Sequence, residues 1–350
     1  MKIWDVAIIG GGIIGLSLAR ELRKHNMSVL VVERGEPGRE ASHAAAGMLA
    51  DCDPMLPPTL AALASASAAL YPEFVHELAD ESGMCVDYRT EGCIAFLESV
   101  PDPLLPCMRP LSPQDVASLE PHLAATCPAH FLREASVDPR ALVEASLHAA
   151  KHRNVDISSG SPVIEVEVNG ARAVALKTSR TSFPAATIVN CSGAWAASIP
   201  GVKIPTRPVK GQMLSLVSSR RSVVKHVVRA PEVYLVPRSD GRIVIGSTLE
   251  DAGFDKRVDP DTIQRLHQAA ANLVPELGEA RMLEAWTGLR PGTPDALPIL
   301  GATSLENYFV AAGHYRDGIL LAPITAQLMS QVIRGVKPDV DLSAFSLARF

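Results

Sequence analysis

An α/β fold (α+β overall), in which a parallel strand-helix-strand unit is interrupted by an inserted domain on a mixed or antiparallel sheet, is predicted by three observations. First, residues 3–33 read as a strand, the turn Gly10-Gly11-Gly12-Ile13-Ile14-Gly15, a helix, and a second strand ending in Glu33. Second, the C-terminal end repeats that theme, with a strand over Asn307–Gly313 and a helix over 318–334 after Asp317-Gly318. Third, the middle of the chain carries short β-type runs punctuated by Gly, Pro and Asp turns.

The opening unit has a Rossmann-like spacing. Gly10 permits the tight turn, Gly12 lets the backbone approach a pyrophosphate, and Gly15 lets the helix pack closely on its strand. Helix N–H groups would meet the pyrophosphate. Glu33 lies 23 residues after Gly10, placed to accept hydrogen bonds from an adenosine ribose. An ordinary glycine-rich turn is the alternative, and the ordered run of strand, turn, helix, strand and acid argues against it.

The remaining elements follow in order. Residues 34–57 carry a loop of small residues, Ala41 to Leu49, that lets backbone approach a planar ligand. The spacing of Leu70, Phe74 and Leu78 predicts a core-facing helix over 58–82. Segment 83–133, rich in Pro and Cys, reads as part of the inserted domain. Asp138-Pro139 starts a helix over 139–152, and β-like stretches follow at 162–168, 172–178 and 186–190. Asn190 to Trp195 is a small-residue turn returning to the nucleotide domain. Lys210-Gly211-Gln212 opens a strand, and Tyr234–Arg238 pairs with Arg242–Thr248 across Ser239-Asp240-Gly241.

Bulk properties narrow the function. A chain of 350 residues suits about two domains. Its net charge of −5 has interspersed signs and offers no stripe for nucleic acid or anionic lipid. With 47% hydrophobic residues and a mean hydropathy of +0.15 it contains no apolar run long enough to span a bilayer. Met1-Lys2-Ile3 enters a strand at once, so no leader is expected and the location is expected to be cytoplasmic. The six cysteines show no zinc spacing and are expected to be reduced and mostly structural. No metal is expected.

The chemistry is expected at two C-terminal segments. The turn Gly313-His314-Tyr315-Arg316-Asp317-Gly318-Ile319-Leu320 offers N–H groups and a helix dipole to the pyrimidine side of a flavin. Trp286 to Gly301 is dense with turn residues around Arg290, whose planar fork suits a carboxylate, and Arg316 supplies a second cation.

These motifs, with Ile9–Gly15, Ala44–Leu49, Pro208–Gln212, Tyr234–Arg238, Gly288–Thr293 and Ala312–Pro323, resemble the thiamin-pathway type of glycine oxidase within the FAD-dependent D-amino-acid oxidase and sarcosine oxidase superfamily. The resemblance runs nearly end to end. It implies an FAD-binding domain over 1–77, 134–206 and 284–350, and a substrate domain over 78–133 and 207–283. To the cofactor role read for Gly10, Gly12 and Gly15 it adds FAD contacts from Ile13, Ile14, Glu33, Arg34, Ala41, Ser42, Ala46, Gly47, Met48 and Val163, and from His314, Tyr315, Arg316, Asp317, Gly318, Ile319 and Leu320. The substrate carboxylate falls to Arg290, with Tyr234 and Arg316 alongside. Tyr234 packed on the sheet as a plain aromatic is the alternative.

Three positions depart from the family pattern. His43 replaces a small hydroxyl residue, Asp317 an asparagine, and Leu249 a methionine, the last expected to reshape the amine pocket. The absence of cysteine from Trp286–Gly301 implies non-covalent FAD. The expected reaction is oxidation of glycine to the imine of glyoxylate, with oxygen as acceptor and hydrogen peroxide as product, for thiazole synthesis. D-amino acids, sarcosine or another small amine are the alternative substrates. Other readings are a flavin-binding protein without turnover and a nicotinamide dehydrogenase. A homo-oligomer is the fair expectation.

Overall fold

The computed structural model describes residues 2–97, 99–124, 128–218 and 223–350. Cys127 lies outside them.

Two eight-stranded sheets organise the chain. In the first, strand Trp4–Ile9 lies between Val29–Val32 and Ser182–Asn190, parallel to both. Tyr308–Ala312 extends it, also parallel, beside Ser182–Asn190. Helix Ile13–Lys24 packs its apolar face on this sheet and on helices Pro139–His152 and Ala322–Ile333. Strands Val29–Val32 and most of Trp4–Ile9 are buried, the near-continuous apolar reading expected of parallel strands covered on both faces. The Asp138 carboxylate accepts hydrogen bonds from the Arg140 and Ala141 amides, the N-cap that Asp138-Pro139 announced.

The second sheet runs in the order Arg281–Gly292, Arg207–Val217, Arg242–Gly246, Tyr234–Pro237, Val227–Arg229, Cys93–Ala95, Ala129–Leu132 and Met108–Leu111. The hairpin across Ser239-Asp240-Gly241 forms with Tyr234 opposite Gly246.

Four expectations need correction. Trp286–Gly301 is not a run of turns: as far as Gly292 it belongs to a twelve-residue strand paired along its length with Arg207–Val217. The expected boundary at 284 falls inside that strand. The last helix begins at Ala322, because residues 318–321 form a turn in which the Leu321 amide bonds the Asp317 carbonyl. Cys52 and Cys107 are joined in a disulfide between Cα atoms 6.2 Å apart, while Cys85, Cys93 and Cys191 are free thiols. No helix among the described residues is long and apolar enough to cross a membrane.

Candidate active site

A cleft of about 420 Å³ lies between the sheets, and residues from both line it. From the first sheet's strand ends and the helix packed on it come Gly10, Gly12, Ile13, Ile14, Glu33 and Arg34. The loop after them adds Ala41, Ser42, Ala46, Gly47 and Met48. Val163 and the turn His314 to Ile319 complete that side, and the second sheet contributes Tyr234 and Arg290. Sequence reasoning named all of these.

The glycine turn is built as its spacing required. Gly10 has φ +103°, and a Cβ there would sit 2.6 Å from the Cys191 carbonyl oxygen. At Gly15 a Cβ would sit 2.1 Å from the Gly10 carbonyl oxygen. Gly15 therefore does not line the cleft; it sets the helix against the turn. Glu33 has a second task besides facing the cleft, accepting hydrogen bonds from the Gly11 amide at 2.8 Å and the Gly35 amide at 2.9 Å. The Ser42 hydroxyl accepts from the Ile13 amide at 3.0 Å. Arg34 lies over the Trp195 ring at 3.5 Å and pairs with Glu40.

The C-terminal turn is held from behind. Ser67 and Tyr71, on helix Pro58–Ser82, donate to the Leu320 and Ile319 carbonyls, each at 2.6 Å. Leu320 is buried in the core and is not among the residues that line the cleft. Burial lowers the His314 imidazole to about 3, so it is neutral, and its Nε2 lies 3.1 Å from the Thr325 hydroxyl. Burial raises the Asp317 carboxyl to about 6, against the nearby charge of Arg316.

Arg290 is half-buried. Its guanidinium donates to the Ser247 hydroxyl at 2.7 Å and the Thr248 carbonyl at 3.1 Å, and it has no carboxylate partner among the described residues. Two glycines clear its surroundings. A Cβ at Gly211 would lie 2.3 Å from Arg290 Nη1, and one at Gly246 would lie 2.6 Å from the Tyr234 hydroxyl. The Tyr234 hydroxyl lies 3.7 Å from Met213 Sδ, a weak acceptor that leaves it able to donate to a ligand. Arg316 is exposed and likewise has no acidic partner in hydrogen-bond range among the described residues.

Some of the site was not read from the sequence. Ser247 and Thr248 orient Arg290. Arg229 and Asp53 also line the cleft, and Arg229 pairs with Asp53 at 2.9 Å and with both oxygens of buried Glu134. Burial pushes the Glu134 carboxyl upward despite Arg229. Leu249, expected to reshape the pocket, is 64% exposed and not part of its lining; it lies between Thr248 and Glu250, which still bond to Gln212 and Lys210 of the neighbouring strand.

A glycine turn at a helix N-terminus, an acid at the end of the second strand and a second turn facing the same cleft define a dinucleotide-dependent oxidoreductase. Residues 5–332 match the family model described as FAD dependent oxidoreductase, and the chain belongs to that family. It is 33% identical to a glycine oxidase of Geobacillus kaustophilus, over 99% of this chain and 97% of that protein. It is 36% identical to the bifunctional protein ThiO/ThiG of Synechocystis, over 99% of this chain but 54% of that protein, so it spans about half the length of this curated relative. Among solved structures, the Geobacillus kaustophilus glycine oxidase superposes with a TM-score of 0.93 at 32% identity, each chain fully covered. An iminodiacetate oxidase from Chelativorans gives 0.88 at 27% identity, over 97% of this chain and 98% of that one.

The cleft fits FAD. Its glycine cradle leaves no room for a Cβ at Gly10, and the first helix has no side-chain cap at Gly12 and no acid in its first turn to oppose a pyrophosphate.

Proposed function

We propose that the protein is a glycine oxidase that binds FAD non-covalently. The observation that carries this reading is the guanidinium of Arg290, facing the cofactor cleft without a carboxylate of its own, beside the Tyr234 hydroxyl. When bound, FAD would supply the hydride acceptor: the neutral amine of glycine would give up its α-hydrogen as hydride and an N–H proton to solvent, leaving the imine of glyoxylate, which water hydrolyses to glyoxylate and ammonia, while oxygen would take the two electrons and two protons as hydrogen peroxide.

The chain's own residues bind and orient. Arg290 takes the carboxylate with its planar fork while Ser247 and Thr248 hold the fork from behind. Tyr234 donates to the same carboxylate, and Arg316 adds positive charge from the opposite turn. Met48 and Met213 line the cleft and help exclude water. Gly10, Gly12, Ile13, Ile14, Ser42 and Gly47 hold the pyrophosphate side, with Gly15 setting the turn. Glu33, Arg34 and Val163 hold the adenosine, and Ala41, Ala46 and the turn His314 to Ile319 hold the flavin side. The imine suits a thiazole-forming step, which is where we place the activity.

A second reading rests on Arg316, a second guanidinium without an acidic partner: a substrate carrying two carboxylates on one secondary amine. Anaerobic mixing of the yellow holoenzyme with glycine, sarcosine, D-alanine and iminodiacetate tests both. Fastest bleaching by glycine supports the proposal, fastest bleaching by iminodiacetate supports the second reading, and no bleaching by any of them overturns amine oxidation.

A further inference from the structure

Segment 251–258 leaves the second sheet after Glu250, which still bridges Lys210, and reaches the loops that follow strands Val29–Val32 and Ser182–Asn190 of the first. Its root is fixed: the Thr287 hydroxyl donates to the Lys256 carbonyl at 2.8 Å, and the Asp259 amide donates to Gln212 Oε1 at 2.7 Å. Two of its side chains contact segments of the first sheet's side that line the cleft. The Phe254 ring stacks on Trp195 with centroids 5.2 Å apart and planes at 29°. Lys256 Nζ lies 2.9 Å from Glu40, whose carboxylate also receives Arg34. Both contacts converge on Arg34 and Trp195, which lie against each other and line the cleft on the side of Glu33 and Val163.

Phe254 is 47% exposed and belongs to none of the buried apolar clusters. A large ring left half in water contributes little to core packing. Among the described residues its one aromatic contact is with the cleft residue Trp195.

We infer that segment 251–258 is a strap that retains FAD, with Phe254 a positioning residue acting through Trp195 at the adenosine end. This rests on the reading that the adenosine lies beside Glu33, Arg34 and Val163. Adenosine leaving that end must displace Arg34 and Trp195, and the strap restrains both, so it acts on cofactor release rather than on amine oxidation. An offset-stacked aromatic pair sets the scale of the effect at about three- to tenfold in rate.

The test follows free flavin fluorescence after dilution of the holoenzyme. Phe254→Ala is expected to release FAD about three- to tenfold faster, Phe254→Trp to restore slow release, and the apoprotein melting temperature of Phe254→Ala to fall by no more than the roughly 4 °C that one stacked pair carries. Unchanged release in Phe254→Ala overturns the strap. So does faster release that Phe254→Trp does not restore, or that comes with a fall in apoprotein melting temperature beyond roughly 4 °C. Val163→Trp, which fills the adenosine end, tests the underlying reading separately. Loss of FAD from that variant supports it, and FAD retained as in the parent places the adenosine elsewhere and removes the basis of the strap.

Discussion

Replacing Arg290 with methionine removes the charge on which the carboxylate assignment depends while keeping most of the side-chain length. Losing one partner of a hydrogen-bonded charge pair costs about 2–5 kcal/mol. Arg290 is half-buried, and Tyr234 stays to share the carboxylate, so the lower part of that range applies. About 2–3 kcal/mol corresponds to a roughly 30- to 150-fold weaker grip on glycine. The strand holding residue 290 is paired on both sides of the substitution, and only the Ser247 hydroxyl and the Thr248 carbonyl lose a donor. That loss costs on the order of 1 kcal/mol in stability, so flavin content is expected to survive. The assay is an anaerobic titration of flavin absorbance with glycine, paired with binding of glycolate, a carboxylate that is not an amine. Arg290→Lys keeps the charge without the fork and is expected to fall between parent and methionine variant. Parent-like affinity for both ligands in a yellow Arg290→Met protein would refute the clamp.

Three further outcomes follow from other parts of the fold. Gly15→Ala places a Cβ 2.1 Å from the Gly10 carbonyl oxygen, so it is expected to cost about 1–3 kcal/mol or more and to yield protein poor in FAD, checked by melting and by the ratio of flavin to protein absorbance. Burial alone would raise the Glu81 carboxyl, but hydrogen bonds and charge from Arg20 and Arg153 bring it down to about 2. Its stabilisation is therefore present above pH 4.5 and lost as pH falls towards 2. Glu81→Gln is expected to melt lower than the parent at pH 7 and to converge with it in strong acid. Asp317 has the opposite sign. Burial raises its folded value from 3.8 to about 6, so the folded apoprotein holds that proton more tightly and loses stability as pH rises from about 4 to 6. Asp317→Asn apoprotein is expected to melt above the parent beyond pH 6 and to match it below pH 4.

Much of this was legible in the sequence because its causes are local. The turn from Gly10 to Gly15, the Asp138 cap and the hairpin at Ser239-Asp240-Gly241 each depend on a few consecutive residues, and each formed where expected. Trp286 to Gly292 was misread for the opposite reason. Its Gly and Pro residues favour turns, but pairing with Arg207–Val217 overrides that preference. Gly211 and Gly246 act as clearings for Arg290 and Tyr234, side chains from other strands, so nothing at those positions announces the role. Ser67 and Tyr71 support a turn about 250 residues away, and Arg229 meets Asp53 and Glu134 from distant segments. The Cys52–Cys107 link likewise joins residues whose spacing matches no motif.

The most direct measurement is a crystal structure of the holoenzyme soaked with glycolate. The account predicts the carboxylate against the Arg290 guanidinium and the Tyr234 hydroxyl, with the flavin ring between them and the turn His314 to Ile319. A ring placed elsewhere in the cleft, or glycolate bound away from Arg290, would contradict it.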